Sequence, residues 1–287
     1  MYLLLVFNYI VSVKSLEILQ NHSEIYYCDR CDVILGGLVA VHEKQEDQSR
    51  FGECGDGFKN FAIPRVEAML FAIDKINNDK NLSNGINFGI HIHDTCGIAT
   101  LATVKSKDFV RETFNHGCTF NNDTTEPYFA GVIGGMYSSV SIAVATFLQP
   151  WGIPQISPAS TSVKLSDKDR FKLFSRTVPS DRHQYRAIVD ILDHLNWTLI
   201  STIISYGSYS PEVIEEFNKI ADERGICNSN DKRIPHNPTD ANFEAILCSI
   251  LLETNSNVVV LFTNVEDTRR IFATASRLMQ QHKGTVN

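Results

Sequence analysis

An alternation of strand and helix patterns is the sequence feature that most restricts the fold. Apolar runs at residues 32–41, 128–133 and 257–263 are typical of buried strands. Segments with apolar residues near i, i+3, i+4 and i+7 spacing lie between such runs, and the first of these helices opens at Pro64. This order predicts an α/β fold whose sheets are mostly parallel, with helices on both faces.

The pattern restarts after Pro179, which predicts a second lobe. A helix is expected at residues 184–195, a strand at 198–205 and a helix at 211–224. We therefore place lobe 1 at residues 16–180 and lobe 2 at residues 181–287. Lobe 2 ends in a helix with no strand returning to the sheet, so we expect it to be incomplete.

The N-terminus and the glycosylation motifs indicate the secretory route. Residues 1–13 are an apolar run that is too short to span a bilayer, which predicts a signal peptide over residues 1–15, with a buried strand as the alternative. No later run of 18 apolar residues offers a membrane anchor. The seven cysteines favour an oxidising compartment, and sequons for a glycoprotein occur at Asn21, Asn81, Asn122 and Asn196.

The net charge of −7 disfavours a nucleic-acid partner, because no basic block with interleaved aromatic residues accompanies it. A hydrophobic fraction of 43% is that of a globular protein. Neither composition nor motif indicates a cofactor.

Strand ends carry the residues that suit a zwitterionic ligand, since ligands of open α/β sheets lie beyond the carboxyl ends of strands. Gly134 and Gly135 let a backbone approach closely, and the helix after them favours a carboxylate at its N-terminus, where Ser138 adds a hydroxyl. The alternative is an ordinary strand–helix turn with a serine cap. The turn is no phosphate loop, because it lacks the Gly-Lys-Ser/Thr sequence.

Further hydroxyl, acidic and aromatic residues follow other strands or open helices. Ser160 and Thr161 can donate to a carboxylate or accept from an ammonium group. Asp181 can pair with the same ammonium, and Tyr209 can place its ring beneath it. Each also has a plainer interpretation: a helix cap for the hydroxyls and Asp181, and a surface aromatic for Tyr209.

Four strings resemble one known family. They are IPRVEAMLFAIDKINND at 63–79, GVIGGMYSSV at 131–140, IPQISPASTSVKLSDK at 153–168 and NWTLIS at 196–201. They are similar to the ligand-binding region of metabotropic glutamate receptors, which are class C G-protein-coupled receptors. The similarity runs from about residue 32 to the end. It implies a two-lobed, periplasmic-binding-protein-like clamp (a Venus flytrap) that closes on glutamate at the extracellular face of the plasma membrane and is not an enzyme.

The resemblance also implies roles for single residues. Phe61 departs from the tyrosine or basic residue that is usual there, and Pro158 replaces an aromatic residue. From the residues alone, Arg65 would be a solvated helix residue. The implied ligand residues are Arg65 for the distal carboxylate, Ser138 for the α-carboxylate, Ala159, Ser160 and Thr161 for carboxylate and ammonium, and Asp181 and Tyr209 for the ammonium.

Cysteines and partners follow from the same resemblance. It pairs Cys54 with Cys96, assigns Cys118 to a bond between subunits, and gives Cys227 a mate in a domain beyond this chain. Cys28 and Cys31 have the spacing of a redox motif without its strand–turn–helix context, so we expect a structural role; Cys248 has no assignment. A homodimer would use Cys118 and a helix bearing Ile142, Phe147 and Trp151; the alternative is that these three residues pack against the sheet. A heterotrimeric G protein would bind only segments absent here.

Rival interpretations remain open. His91, His93, Asp94 and Cys96 include metal-ligand types, but a strand followed by a disulfide is the simpler interpretation, so we expect no metal. A soluble or decoy-like amino-acid-binding protein would share the two-lobed plan. A sensor of another amino acid is the last alternative, and Arg65 favours an acidic ligand over it.

Overall fold

The computed structural model describes residues 24–28, 30–44, 54–115, 127–206, 211–253, 256 and 258–284. These residues form two compact units that divide between Pro179 and Ser180. The division lies one residue from the predicted lobe boundary. Both units combine parallel strands with helices, which confirms the predicted α/β class.

The first unit is built on a six-stranded sheet in the order β1-β5-β2-β6-β7-β8. Every neighbouring pair is parallel except β1 with β5. A separate antiparallel pair, β3 and β4, follows β2. The strands are β1 (Glu24–Tyr27), β2 (Val33–Val39), β3 (His42–Lys44), β4 (Cys54–Phe58), β5 (Phe88–Asp94), β6 (Tyr128–Gly134), β7 (Gln155–Ser157) and β8 (Phe174–Arg176).

Helices cover both faces of this sheet. On one face, Val66 and Ile73 of the first helix pack with Ile90 and Ile92 of β5. On the other face, a separate cluster joins the third and fourth helices to β2 and β6 through Phe109 and its buried neighbours. The helices are α1 (Ile63–Asn78), α2 (Lys80–Ser83), α3 (Ala99–Asn115) and α4 (Ser138–Leu148), with 3₁₀ turns at Gln149–Trp151 and Val163–Ser166.

The second unit has a parallel sheet in the order β10-β9-β11. Phe243 and Ile250 pack on one side of it, and the rings of Tyr185 and Phe217 meet Phe262 on the other. Its elements are α5 (Asp181–His194), β9 (Leu199–Ile204), α6 (Pro211–Asp222), β10 (Cys227–Arg233), α7 (Asp240–Glu253), β11 (Val259–Phe262) and α8 (Val265–Gly284).

Two local details differ from the expectations. Helix α5 begins at Asp181 and not at residue 184, and Ser180 caps it by accepting a hydrogen bond from the backbone N–H of Arg182 at 3.4 Å. Asp181 is therefore the first helical residue and not the cap. Of the helices that the structure describes, none has both the length and the apolar composition that a bilayer crossing requires.

Candidate ligand site on the first unit

Three neighbouring parallel strands bring the predicted lobe 1 residues to one edge. Strands β2, β6 and β7 lie side by side and run the same way, so their carboxyl ends meet at one edge of the sheet. Ser138 opens α4 directly after β6, and Thr161 follows β7. Strand β5 is parallel to β2, so it starts at the opposite edge of the sheet. Helix α1 precedes β5 and leads back to that start, so the first turn of α1 lies at the edge with Ser138 and Thr161. Arg65 is in this first turn.

A buried group of serines holds the loop after β7. We call Ser141, Ser157 and Ser160 the serine cluster. Their hydroxyls lie 3.3, 2.8 and 3.2 Å from the carbonyl oxygen of Gly135, and all three residues are fully buried. The Ser157 hydroxyl also accepts the backbone N–H of Ser160 at 3.0 Å. The cluster therefore ties the turn after β6 to the loop after β7.

The side chain of Ser160 points into this cluster. Its hydroxyl lies 2.7 Å from the hydroxyl of Ser141, and its carbonyl accepts from the Arg176 guanidinium at 3.2 Å. The same guanidinium donates to the carbonyl of Ser162 at 2.9 Å. Ser160 thus fixes the loop conformation, while Ala159 and Thr161 beside it are half-buried.

The start of α4 presents donors towards the edge. The Ser138 hydroxyl oxygen accepts the backbone N–H of Ser162 at 3.1 Å, and its own proton has no acceptor within the described part of the chain. Tyr137 is the N-cap residue and makes no side-chain hydrogen bond to the first turn. The first-turn N–H groups therefore lack a capping side chain, and such groups bind anions.

The glycine pair is required by packing within the unit. Gly134 has φ +127°, and a Cβ there would overlap the carbonyl oxygen of Leu38 on β2. A Cβ on Gly135 would lie 2.6 Å from Cγ1 of Val140. The absence of a Cβ at these two positions thus lets β6 lie close to Leu38 of β2 and lets the turn lie close to Val140 of α4. This packing positions Ser138 at the start of α4.

Arg65 is half-buried and places its guanidinium over the Phe61 ring, 4.8 Å from the centroid. Among the described residues, no carboxylate forms an ion pair with it. A second cation that the sequence analysis did not single out, Lys59, lies 5.1 Å from the ring centroid of Tyr137, next to Ser138. The sequence signal for Lys59 is its position in the turn before Pro64.

The end of β5 is closed by a disulfide and a buried carboxylate. Cys54 and Cys96 are bonded, with Cα atoms 5.6 Å apart, the pair that the resemblance implies. Asp94 accepts backbone N–H groups from Val41, His42 and Cys96 at 2.9, 3.1 and 2.9 Å. Asp94 and Cys96 are thus engaged at the strand end, apart from the two histidines with which the sequence grouped them.

Those histidines lie on the β5 face that α3 covers, and their pKa values shift in opposite directions. Burial, followed by the neighbouring His91 and Lys105, lowers the pKa of His93 to about 3. Burial also works to lower the pKa of His91, but the hydrogen bond and charge of Glu112, with those of Glu24, raise it above the ordinary value. At neutral pH, His93 is therefore uncharged.

Comparison with known proteins identifies the family. A profile described as "Receptor family ligand binding region" matches residues 64–286. The chain belongs to this receptor ligand-binding family. Over 259 residues it is 46% identical to "Metabotropic glutamate receptor" of Drosophila melanogaster, covering 86% of this chain and 26% of that protein. Over 258 residues it is 42% identical to "Metabotropic glutamate receptor 8" of Mus musculus and to that of Homo sapiens. Each of these two matches covers 87% of this chain and 28% of the receptor.

These matches confirm the resemblance of this chain to metabotropic glutamate receptors. They also confirm its periplasmic-binding-protein-like fold, which is the fold of the matched family. The relatives named are receptors, not enzymes. The chain spans about a quarter of the length of these relatives.

In the second unit, Asp181 lies at the carboxyl edge of the sheet. Helix α5 has 14 residues and rises about 21 Å, while the six residues of β9 extend about 20 Å. The connection between them is short, so α5 runs back along β9 and begins level with the strand's carboxyl end. Its next residue, Arg182, pairs with Glu216 of α6 at 2.6 Å.

Several predicted residues lie outside the described residues: Tyr209, Cys118, Asn21, Asn122 and the signal peptide. The sequon residues Asn81 and Asn196 are exposed. Cys28 is bonded to Cys31, and Cys227 and Cys248 form no disulfide with any described cysteine.

The residues of the predicted dimer helix divide between the two interpretations. Ile142 and Phe147 pack against buried clusters of the first unit. Trp151 is 44% exposed and meets the edge of Phe114, with 5.4 Å between ring centroids. Of the three residues, Trp151 therefore has the largest exposed fraction.

Proposed function

We propose that this chain binds L-glutamate, or a similar acidic amino acid, as part of the ligand-binding region of a metabotropic glutamate-type receptor at the extracellular face of the plasma membrane. One observation carries the proposal. Arg65 lies at the same sheet edge as the uncapped start of α4, and among the described residues its guanidinium has no carboxylate partner.

The edge offers two separate anion sites, which fits a ligand with two carboxylates. The α-carboxylate binds the first-turn N–H groups of α4, the Ser138 hydroxyl and the loop of Ala159, Ser160 and Thr161. The distal carboxylate binds Arg65, because a guanidinium recognises a carboxylate through two parallel charge-assisted hydrogen bonds. Phe61 supports the guanidinium from below but adds no polar contact to the ligand.

The second unit completes the site by closure. The ligand binds the first unit, and Asp181 and Tyr209 then meet its ammonium group. Only the closed state makes both sets of contacts, so the ligand raises the population of that state. The chain acts as a homodimer, joined through Cys118 with Trp151 at the contact. The receptor couples to a heterotrimeric G protein through its membrane-spanning segments.

Two alternatives concern the ligand and the setting. A sensor of another amino acid is favoured by Phe61, which replaces a polar family residue near the distal carboxylate. A soluble or decoy-like binding protein would keep the site without the signalling segments. Titration of the full-length protein with L-glutamate, L-alanine and glycine separates the ligand classes, since our proposal predicts heat of binding for L-glutamate alone.

The proposal is tested by Arg65→Ala in the full-length protein. Loss of the guanidinium leaves one carboxylate of the ligand without a partner, which should weaken L-glutamate binding by about 2–5 kcal/mol in calorimetry. Arg170→Ala is the matched control, because Arg170 also lies over a ring, Phe171 at 5.2 Å, but is exposed on a loop before β8. Equal L-glutamate affinities in the two variants would refute the assignment of Arg65.

A further inference from the structure

A second polar cluster lies on the first unit, on the sheet face that α3 covers and apart from the amino-acid site. We call Glu24, His91, His93, Asp108 and Glu112 the histidine cluster. Two imidazoles face one carboxylate of β1 and two of α3. None of these residues has a role in the proposed amino-acid binding.

The strand and helix periodicities bring the five residues together. His91 and His93 alternate with Ile90 and Ile92 on β5, so both imidazoles lie on the face opposite α1. The antiparallel register places Glu24 of β1 directly beside His93. Asp108 and Glu112 are four residues apart on α3 and share one helix face, which is turned towards the imidazoles.

His93 is the unusual member of the cluster. Its side chain is 0% exposed, and neither ring nitrogen has a hydrogen-bond partner among the residues that the structure describes. Nδ1 lies 3.3 Å from the Oε2 atom of Glu24, and Nε2 lies 3.6 Å from the Oδ2 atom of Asp108. Buried polar groups are nearly always partnered, so two unpaired nitrogens aimed at carboxylates indicate a missing ligand.

We propose that Glu24, His91 and His93 form a zinc site. One ligand atom from each of the three residues lies within 4.8 Å of the other two. From the contacts of the Glu24 carboxylate we assign these atoms as Oε2 of Glu24, Nε2 of His91 and Nδ1 of His93. Glu24 Oε2 is 3.6 Å from His91 Nε2 and 3.3 Å from His93 Nδ1. Ligand atoms at about 2.0–2.2 Å from a tetrahedral zinc stand about 3.3–3.6 Å apart, so these two separations fit zinc without a change of fold.

The remaining ring nitrogens support this assignment. Nδ1 of His91 lies 2.7 Å from Oε1 of Glu112, and Nε2 of His93 faces Asp108. A histidine that binds a metal commonly donates its other N–H to a carboxylate, which fixes the tautomer and ring orientation. Each imidazole here has one nitrogen for the metal and one for an α3 carboxylate.

The ligand set also selects the kind of metal and its entry path. Two imidazoles with one carboxylate suit zinc, whereas calcium and magnesium prefer oxygen ligands alone. The Glu24 side chain is 52% exposed, so an ion reaches the site from solvent at β1. Zinc would then link β1 to β5 and leave a fourth position for water.

The test is a zinc titration of the full-length protein, with a chromogenic chelator as competitor and Co²⁺ as a spectroscopic substitute. We expect one tight site per chain and the visible absorption of tetrahedral Co²⁺. Glu24→Gln keeps the size of an exposed side chain and should weaken zinc binding at least about 100-fold, since even loss of an outer partner costs 10–100-fold. His91→Gln should have the same effect.

Glu223→Gln is the matched control, because Glu223 is an exposed glutamate of the second unit. It should leave the zinc affinity unchanged. The proposal is overturned if no one-to-one binding is found, or if Glu24→Gln and Glu223→Gln bind zinc equally. Octahedral Co²⁺ absorption would also overturn it, because this geometry is not that of the proposed ligand set.

Discussion

The serine cluster and the histidine cluster lie in the same unit but treat buried polar atoms in opposite ways. Every serine hydroxyl in the first is hydrogen-bonded to the Gly135 carbonyl, and the loop after β7 is fixed as a result. In the second, both nitrogens of the fully buried His93 lack hydrogen bonds to any described residue. The serine cluster is therefore a polar group whose hydrogen bonds the chain supplies by itself. The histidine cluster is one that, under our proposal, a zinc ion completes.

The largest expected effect comes from Gly134→Ala, which breaks the scaffold on which the serine cluster depends. The new Cβ would overlap the Leu38 carbonyl oxygen at a φ of +127°. Strain and overpacking together should lower the free energy of unfolding by about 3 kcal/mol or more, measured by chemical denaturation. Gly152→Ala is the control, because Gly152 has φ +71° with open space around its Cβ; equal stability of the two variants would contradict the packing account.

A smaller effect is expected from Ser157→Ala. The change removes the donor to the Gly135 carbonyl and the acceptor for the N–H of Ser160, all of them buried. The free energy of unfolding should fall by about 1–3 kcal/mol, the usual cost of leaving a buried group unsatisfied. Ser175→Ala, on an exposed position of β8, should change it by less than about 0.5 kcal/mol; a Ser157→Ala variant as stable as this control would show that the cluster does not hold the loop.

The smallest effect on stability is expected from His93→Leu in the presence of a chelator. Within the described part of the chain, the imidazole nitrogens make no hydrogen bond that the change would remove. An apolar side chain of similar size also suits the ring of Phe109, which His93 already contacts. The free energy of unfolding should therefore stay within about 1 kcal/mol of that of the parent protein. A loss as large as that of Ser157→Ala would mean that His93 is already satisfied, and the contrast between the clusters would fail.

The sequence predicted the strands and helices whose apolar residues form long runs or regular stripes. It also predicted that functional residues follow β6 and β7, since glycine and hydroxyl residues mark those strand ends. It missed β10, because Cys227–Arg233 is a polar strand whose burial alternates between exposed and half-buried at the edge of its sheet. A polar edge strand lacks the apolar run by which β9 and β11 were recognised.

Contacts between distant parts of the chain were beyond sequence reasoning. The inward turn of Ser160 depends on the Gly135 carbonyl, 25 residues earlier. The sequence grouped His91 and His93 with Asp94 and Cys96, which are near in sequence. Their partners in the structure are Glu24 on β1 and the acidic residues of α3, which only the sheet order and the helix packing bring close.

The most direct test of the account compares L-glutamate with L-glutamine, which differ only in the distal group: a charged carboxylate in the first and an uncharged amide in the second. Their affinities for the full-length protein and for the Arg65→Ala variant form a double-mutant cycle. We predict that the parent protein prefers L-glutamate strongly and that Arg65→Ala abolishes most of this preference. A preference for L-glutamate that persists unchanged in Arg65→Ala would contradict the claim that Arg65 binds the distal carboxylate.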